Sequence, residues 1–257
     1  MLDATPVELA AAALSAGFDF IGVRIVSPDT GEAFGELIAS ATARRELRAR
    51  TADLPGGVLD VEAFWLRPET DVLDFRPALE AAAELGARHV LTVGHDPDGA
   101  RLRQNVARFA DLAAQVELTL AIEPITYCAI SDVHAAAALI AEVGRDDVRI
   151  LVDALQFFRS GVPLTELASI KRSLLPYAQI ADGPARAPET LGARRQEARL
   201  GRRVPGRGAF DLRGWIDALT PGIPLAVEVP SDAVRALPRP EAAMMLRAAV
   251  ERLLDDR

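Results

Sequence analysis

The stretch LTLAIEPI, Leu118 to Ile125, is an apolar run that ends in a glutamate, with a proline directly after it. Leu118, Leu120 and Ile122 alternate with Thr119, Ala121 and Glu123, the two-residue period of a β-strand. The larger apolar set fits against covering helices, which leaves Glu123 pointing inward at the carboxyl end of its strand. Burying an unpaired carboxylate is costly, so a glutamate at that place calls for a partner.

Working outward, short apolar runs alternate with Ala/Leu-rich segments over nearly the whole chain. The expected strands are Phe20 to Val26, Val58 to Ala63, His89 to Val93, Leu118 to Glu123, Val148 to Asp153, Tyr177 to Ala181 and Leu225 to Val229. The expected helices are Pro6 to Ala16, Ala33 to Arg50, Phe75 to Leu85, Leu102 to Gln115, Ser131 to Glu142, Leu164 to Leu174, Leu212 to Leu219 and Pro240 to Leu254. Parallel strands covered by helices have this pattern. No polar linker divides the sequence, so residues 1–257 read as one domain, and about 250 residues is a common length for a closed barrel of alternating strands and helices. Only seven strands are visible. In an eight-stranded barrel the first strand is therefore missing, very short near Met1 to Ala4, or lost with an upstream segment; a homodimer is one way to cover the exposed edge. A doubly wound sheet is the competing architecture, and the lack of a Gly-x-Gly-x-x-Gly after the first strand counts only weakly against it.

Lys plus Arg number 29 and Asp plus Glu 37, a formal net charge of -8, which argues against nucleic acid as a default partner. Cys128 is the only cysteine, so no intrachain disulfide forms. No apolar run approaches the roughly 20 residues that span a bilayer. The start, MLDATPVELAAAAL, lacks a basic region before its apolar residues, and Thr5, Pro6 and Glu8 suit a helix beginning. A cytoplasmic protein without membrane partners is the expectation.

The strand logic of Glu123 applies three more times. VRILVD ends in Asp153, YAQIAD offers Gln179, and LAVEVP offers Glu228 above Ala226. Three carboxylates delivered to one mouth repel one another, so one holds a proton or all share a cation. Carboxylate and amide oxygens suit Mg²⁺ or Mn²⁺ better than a structural zinc, which takes imidazole or thiolate. A metal-free acidic pocket and unrelated polar strand ends are the plainer alternatives.

The segments LTLAIEP, RILVDALQFFRSG, PYAQIADGP, RRVPGRGAFDL and AVEVPS resemble the xylose isomerase-like TIM barrels, a superfamily of sugar isomerases and epimerases with dehydratase and endonuclease branches. The resemblance covers about Pro6 to Leu254. It implies an α/β barrel with one divalent ion held by two Glu, one Asp and one His at strand ends, the two Glu moving protons. Carried over, it implies Glu123 and Glu228 as catalytic pair and ligands and Asp153 as a third ligand, with Gln179 standing where the histidine usually is. A second departure is DALQ, in which Gln156 replaces a histidine that contacts substrate. Neither glutamine carries a proton, yet the oxygen of Gln179 can coordinate an ion and Gln156 can bond a hydroxyl.

With such residues, a carbohydrate-like hydroxy-ketone would lose the proton beside its carbonyl to one glutamate and regain one from the other, giving epimerisation or isomerisation. A β-hydroxyl would turn the same chemistry into a dehydratase. A non-catalytic sugar-binding descendant, a glycosidase and a metal-assisted phosphodiesterase are the other readings. Between the last two strands lies a long segment with Arg186, Arg194, Arg195, Arg199, Arg202, Arg203 and Arg207; the resemblance places a basic residue near substrate there, with Arg199 preferred. A solvated basic face explains that segment equally well. Arg24 is a candidate substrate contact, with an ion pair to a neighbouring acid as its alternative, and His95 in TVGHDP is a candidate contact or base. His89 and His134 read as structural or solvent-facing.

Overall fold

Strands and helices alternate through the computed structural model, which describes residues 4–27 and 35–255. The strands are β1 (Phe20–Arg24), β2 (Gly57–Leu66), β3 (His89–Gly94), β4 (Thr119–Ile122), β5 (Val148–Ile150), β6 (Val152–Asp153), β7 (Ala178–Ile180) and β8 (Leu225–Val227). The helices are α1 (Pro6–Ser15), α2 (Gly35–Ala39), α3 (Ala41–Thr51), α4 (Arg76–Leu85), α5 (Gly99–Ala114) and α6 (Val133–Val143). They continue with α7 (Ala154–Ser160), α8 (Leu164–Leu167), α9 (Leu191–Leu200), α10 (Leu212–Ala218), α11 (Asp232–Arg235) and α12 (Arg239–Asp255). Two compact units emerge: Asp19–Ile150, and Leu151 onward together with the residues up to Phe18.

In the unit Asp19–Ile150, β1 to β5 form a parallel sheet in chain order. Its strands are buried on both faces, as the continuous apolar runs require: Val61, Phe64, Val90, Leu120, Ala121 and Ile150 are all inaccessible to solvent. Phe64 packs edge-on to Phe75 with ring centroids 5.1 Å apart, and Phe109 on α5 lies 5.4 Å from Phe64. Side-chain caps start the helices as their residue types dictate: Asp98 accepts from the N–H of Ala100 and Arg101, and Asp132 from His134 and Ala135. The expected single helix Ala33 to Arg50 is broken at Ser40, whose hydroxyl caps α3 by accepting from the Ala43 N–H; residues 33 and 34 lie outside the described residues.

The second unit carries the three-stranded parallel sheet β6–β7–β8. The expected strand Val148 to Asp153 is two strands separated at Leu151, the first pairing with β4 and the second with β7. Asp153 is paired with Gln179, and Gln179 with Ala226, so polar strand ends come into register. The ladder continues one step beyond β8, where the Glu228 N–H donates to the Ile180 carbonyl over 3.2 Å. Ala181, Val229, Val234, Ala242 and Leu246 form a buried cluster that packs the helices following β8 against the sheet. At the chain start Thr5 and Glu8 make a reciprocal capping box on α1, and Arg247 of α12 donates to the Gly17 carbonyl over 2.7 Å. Met1 to Asp3, part of the stretch suggested for a short first strand, lie outside the described residues, where the first strand is β1. Among the described residues no helix is long and apolar enough to cross a membrane.

Candidate active site

Asp153 closes β6 and simultaneously caps α7: its Oδ1 accepts the Gln156 N–H over 2.9 Å. An aspartate at a strand end is also a strong helix cap, and α7, which it starts, is absent from the helices expected from the sequence. Its other oxygen, Oδ2, accepts from Arg202 Nη1 over 2.6 Å. The same Nη1 lies 3.3 Å from Glu228 Oε2 and donates to the Glu228 carbonyl over 3.2 Å. One guanidinium therefore bridges the carboxylates of two strand ends. Asp153 and Arg202 are almost wholly buried, whereas the Glu228 side chain keeps 21% of its exposure and remains reachable.

Burial pushes the Asp153 carboxyl up from the usual carboxylate range; Arg202 pulls it down and Glu228 pushes it up again. The positive charge that compensates this acidic pair is an arginine, where the sequence reading expected a proton or a shared divalent ion. Gln179, on the strand between them, is 4% exposed, and its Oε1 is buried with no hydrogen-bond partner among the described residues. Among the described residues no three His, Cys, Asp or Glu side chains form a group that could hold a metal ion. The oxygen donors of Asp153, Gln179 and Glu228 are nevertheless of the kind that ligates a hard divalent cation, and Gln179 Oε1 is an acceptor without a partner among the described residues, although Arg202 already compensates both carboxylates.

Arg202 is positioned from both sides. Its Nε donates to the Ala198 carbonyl over 3.0 Å, and its N–H to the Pro230 carbonyl over 3.3 Å. Ala198 belongs to α9, a helix inside the segment that the sequence reading treated as a long loop; Thr190 caps it, accepting from the Ala193 N–H. Glu197 on α9 forms a bidentate ion pair with Arg159 of α7, at 2.9 and 2.5 Å, and both side chains are under 10% exposed. Arg159 also donates to the Pro184 carbonyl over 2.8 Å and lies 4.9 Å from the centre of the Phe210 ring, which stacks on Phe158 at 4.5 Å. Buried Asp182, which follows β7, gathers four backbone N–H groups, from Gly183, Gly206, Gly208 and Phe210, and so shapes the turn around Gly206 and Gly208. Asp211 then caps α10 through the Gly214 N–H.

The structure thus brings Asp153, Gln156, Gln179 and Glu228 together on neighbouring elements. Arg199, the preferred contact from the arginine-rich segment, is exposed in the last turn of α9; the arginine that meets the strand ends is Arg202, three residues on. Arg159, Glu197 and Asp182 are not legible as site residues in the sequence, and Arg202 stands there only as one of seven arginines, with Arg199 preferred. The available signal was Thr190 and Gly201 flanking ten residues rich in strong helix formers.

In the other unit, Glu123 follows β4, is 7% exposed, and donates its N–H to the Thr92 carbonyl over 2.9 Å. Arg24 pairs with Glu62 at 3.0 Å across the β1–β2 ladder, the alternative that the sequence leaves open for it. His95 is half-buried at the end of β3, its ring edge-on to Trp65 at 5.5 Å. His89 is structural: Nδ1 meets Thr119 Oγ1 at 2.6 Å, and burial first, then Arg88 and Arg149, lowers its pKa to about 4. His134 is exposed on α6.

No functionally curated protein matches the sequence. Among solved structures, the fold is similar to that of IOLI protein with a binding zinc atom, with a TM-score of 0.79 at 17% identity over 96% of this chain and 92% of the other. It is also similar to the probable 3-DHS dehydratase AsbF from Bacillus anthracis, at TM-score 0.76, 14% identity, 99% of this chain and 95% of that one. A D-psicose 3-epimerase gives TM-score 0.76 and 14% identity over 98% of this chain and 93% of its own. At these identities the likeness establishes the α/β barrel fold. The sequence profile of the xylose isomerase-like TIM barrels matches residues 10–252, nearly the entire length, and the chain belongs to that family.

Proposed function

We propose that this chain is a divalent-cation-dependent isomerase or epimerase that moves a proton on the carbon next to the carbonyl of a keto-sugar or related polyol. The observation that carries the reading is the strand-end group itself: two carboxylates sharing one positive charge, with the oxygen of Gln179, on the strand between them, unpaired among the described residues. Asp153, Gln179 and Glu228 are the proposed holders of Mn²⁺ or Mg²⁺, and Glu123 is the further ligand that the family resemblance implies. When bound, a divalent cation polarises a carbonyl and stabilises the negative charge developing on its oxygen.

Within this scheme the residues divide by what their surroundings permit. Asp153 has a donor on each oxygen and is buried, so it holds charge and does not shuttle protons. Glu228, partly exposed, takes the proton from the carbon beside the carbonyl, and Glu123 returns one. Return to the opposite face gives an epimer, and return to the neighbouring carbon gives an isomer. Gln156, Arg24, His95 and Arg199 are the proposed substrate contacts, working inside a single domain of residues 1–257. The expected ligand is a small carbohydrate-like molecule, and the likeness to D-psicose 3-epimerase supports that class.

A dehydratase is the second reading, favoured by a specific feature. Gln179 and Gln156 cannot carry protons, which leaves Glu228 as the reachable carboxylate among the described strand ends of this unit. Expulsion of a β-hydroxyl needs only one group, which removes the carbon-bound proton and hands it to the departing oxygen. The likeness to the probable dehydratase is in keeping with that reading.

The test is turnover of a panel of hydroxy-ketones and inososes with Mn²⁺ in deuterated water, followed by NMR. Deuterium should enter the carbon next to the carbonyl, and Glu228→Gln should lower that exchange at least about a hundredfold while leaving the fold intact. Turnover of a verified substrate with no deuterium in product or recovered substrate contradicts an exchanging proton-transfer route.

A further inference from the structure

We propose that Arg202 is a built-in counter-cation that competes with a divalent ion for Asp153 and Glu228 and thereby sets the chain's metal affinity. The inference rests on the metal-dependent reading above. Its basis is the overlap of positions: the oxygens that would ligate an ion, Asp153 Oδ2 and Glu228 Oε2, are the two that Arg202 Nη1 approaches at 2.6 and 3.3 Å. The other Asp153 oxygen already accepts the Gln156 N–H. A divalent ion needs its oxygens at roughly 2.0–2.6 Å, so a nitrogen lying between the two carboxylates stands in the space that the ion requires. Placing a second cation beside a buried guanidinium is also repulsive in a region where little water screens charge.

Arg202 is anchored for this role. Its Nε is tied to the Ala198 carbonyl, and the adjoining Glu197 is clasped by Arg159 in a buried pair. Those contacts fix the base of the side chain on α9 while its tip reaches the strand ends. Metal entry is therefore an exchange of cations, in which the guanidinium leaves both carboxylates and the ion takes them.

The experiment measures Mn²⁺ binding to the full chain by titration calorimetry and by the electron spin resonance signal of free Mn²⁺, at one fixed pH, with no substrate present. Circular dichroism confirms folding of each variant. Removing a charge-assisted contact to each carboxylate predicts that Arg202→Met binds Mn²⁺ about ten- to a hundredfold more tightly than the unmodified chain. Arg202→Lys keeps the charge and loses the fork, so it should fall between the two. Asp153→Asn should abolish binding in each background. Equal or weaker affinity in Arg202→Met, or in Arg202→Lys if the methionine variant does not fold, overturns the inference while leaving the metal reading standing. Absence of Mn²⁺ binding from every folded variant, including Arg202→Met, overturns the metal reading itself.

Discussion

Arg159 and Glu197 form a buried ion pair that the fold holds at bidentate distances, and cutting it from either side should give unequal but large effects. Glu197→Leu leaves the guanidinium with the Pro184 carbonyl and the face of Phe210. Arg159→Met removes those contacts too and leaves a carboxylate over 90% buried. Breaking a buried pair from one side typically costs about 3–5 kcal/mol, because the remaining charge has lost its compensation. Glu197→Leu belongs near the lower end, since two partners of Arg159 persist, and Arg159→Met near the upper end. The double variant Arg159→Met/Glu197→Leu removes both charges and fills similar volume, so it should lose only about 0–2 kcal/mol. Single losses of about 3 and 5 kcal/mol against a double loss of about 0–2 kcal/mol put the coupling energy at about 6 kcal/mol or more, well outside additivity. Urea unfolding of the full chain, followed by far-ultraviolet circular dichroism, measures all four corners. In a chain of this size the single variants should also melt roughly 10 °C lower. Losses under about 1 kcal/mol in both single variants, or losses that simply add, would refute the description of this pair as the clasp between α7 and α9.

Further outcomes follow from neighbouring geometry. Gly208→Ala would put a methyl carbon 2.0 Å from Asp182 Oδ1 and 2.4 Å from the Gly183 carbonyl, so it should destabilise the chain by about 1–3 kcal/mol or more. Gly192→Ala on α9 meets nothing within 4 Å and should stabilise by about 0.5–1 kcal/mol, both read by the same urea titrations. His89 has its pKa lowered to about 4 against 6.5 for the free side chain. The unfolded chain therefore binds a proton between those values that the folded chain excludes, and stability must fall as pH drops from about 6.5 towards 4. His89→Asn should flatten that part of the stability–pH profile, and an NMR titration of the His89 ring should show a midpoint well below 6.

The strand ends were legible in the sequence because two rules coincide there: period-two alternation names the inward residue, and an isolated carboxylate in an apolar run stands out. Glu123, Asp153 and Glu228 stand out in this way and Gln179 by alternation alone, and the ladder brings Asp153, Gln179 and Glu228 to neighbouring strand ends. Helix starts at Thr5 and Asp211 were legible through their capping chemistry, whereas the helix expected from Ser131 begins only after its cap, Asp132. Arg202 was not, because seven arginines share its segment and composition alone cannot say which one turns inward. That choice depends on α9, whose sequence LGARRQEARL has too few apolar residues to show a helical stripe. The break at Leu151 was hidden for the opposite reason: Val148 to Val152 has apolar residues at both faces, so nothing in the pattern marks the change of partner from β4 to β7.

The most direct measurement is an anomalous difference map from crystals equilibrated with Mn²⁺. The account predicts one peak at coordination distance from Asp153, Gln179 and Glu228, with the Arg202 guanidinium withdrawn from both carboxylates. A saturating soak that leaves Arg202 bridging Asp153 and Glu228, with no peak at Gln179, would contradict it.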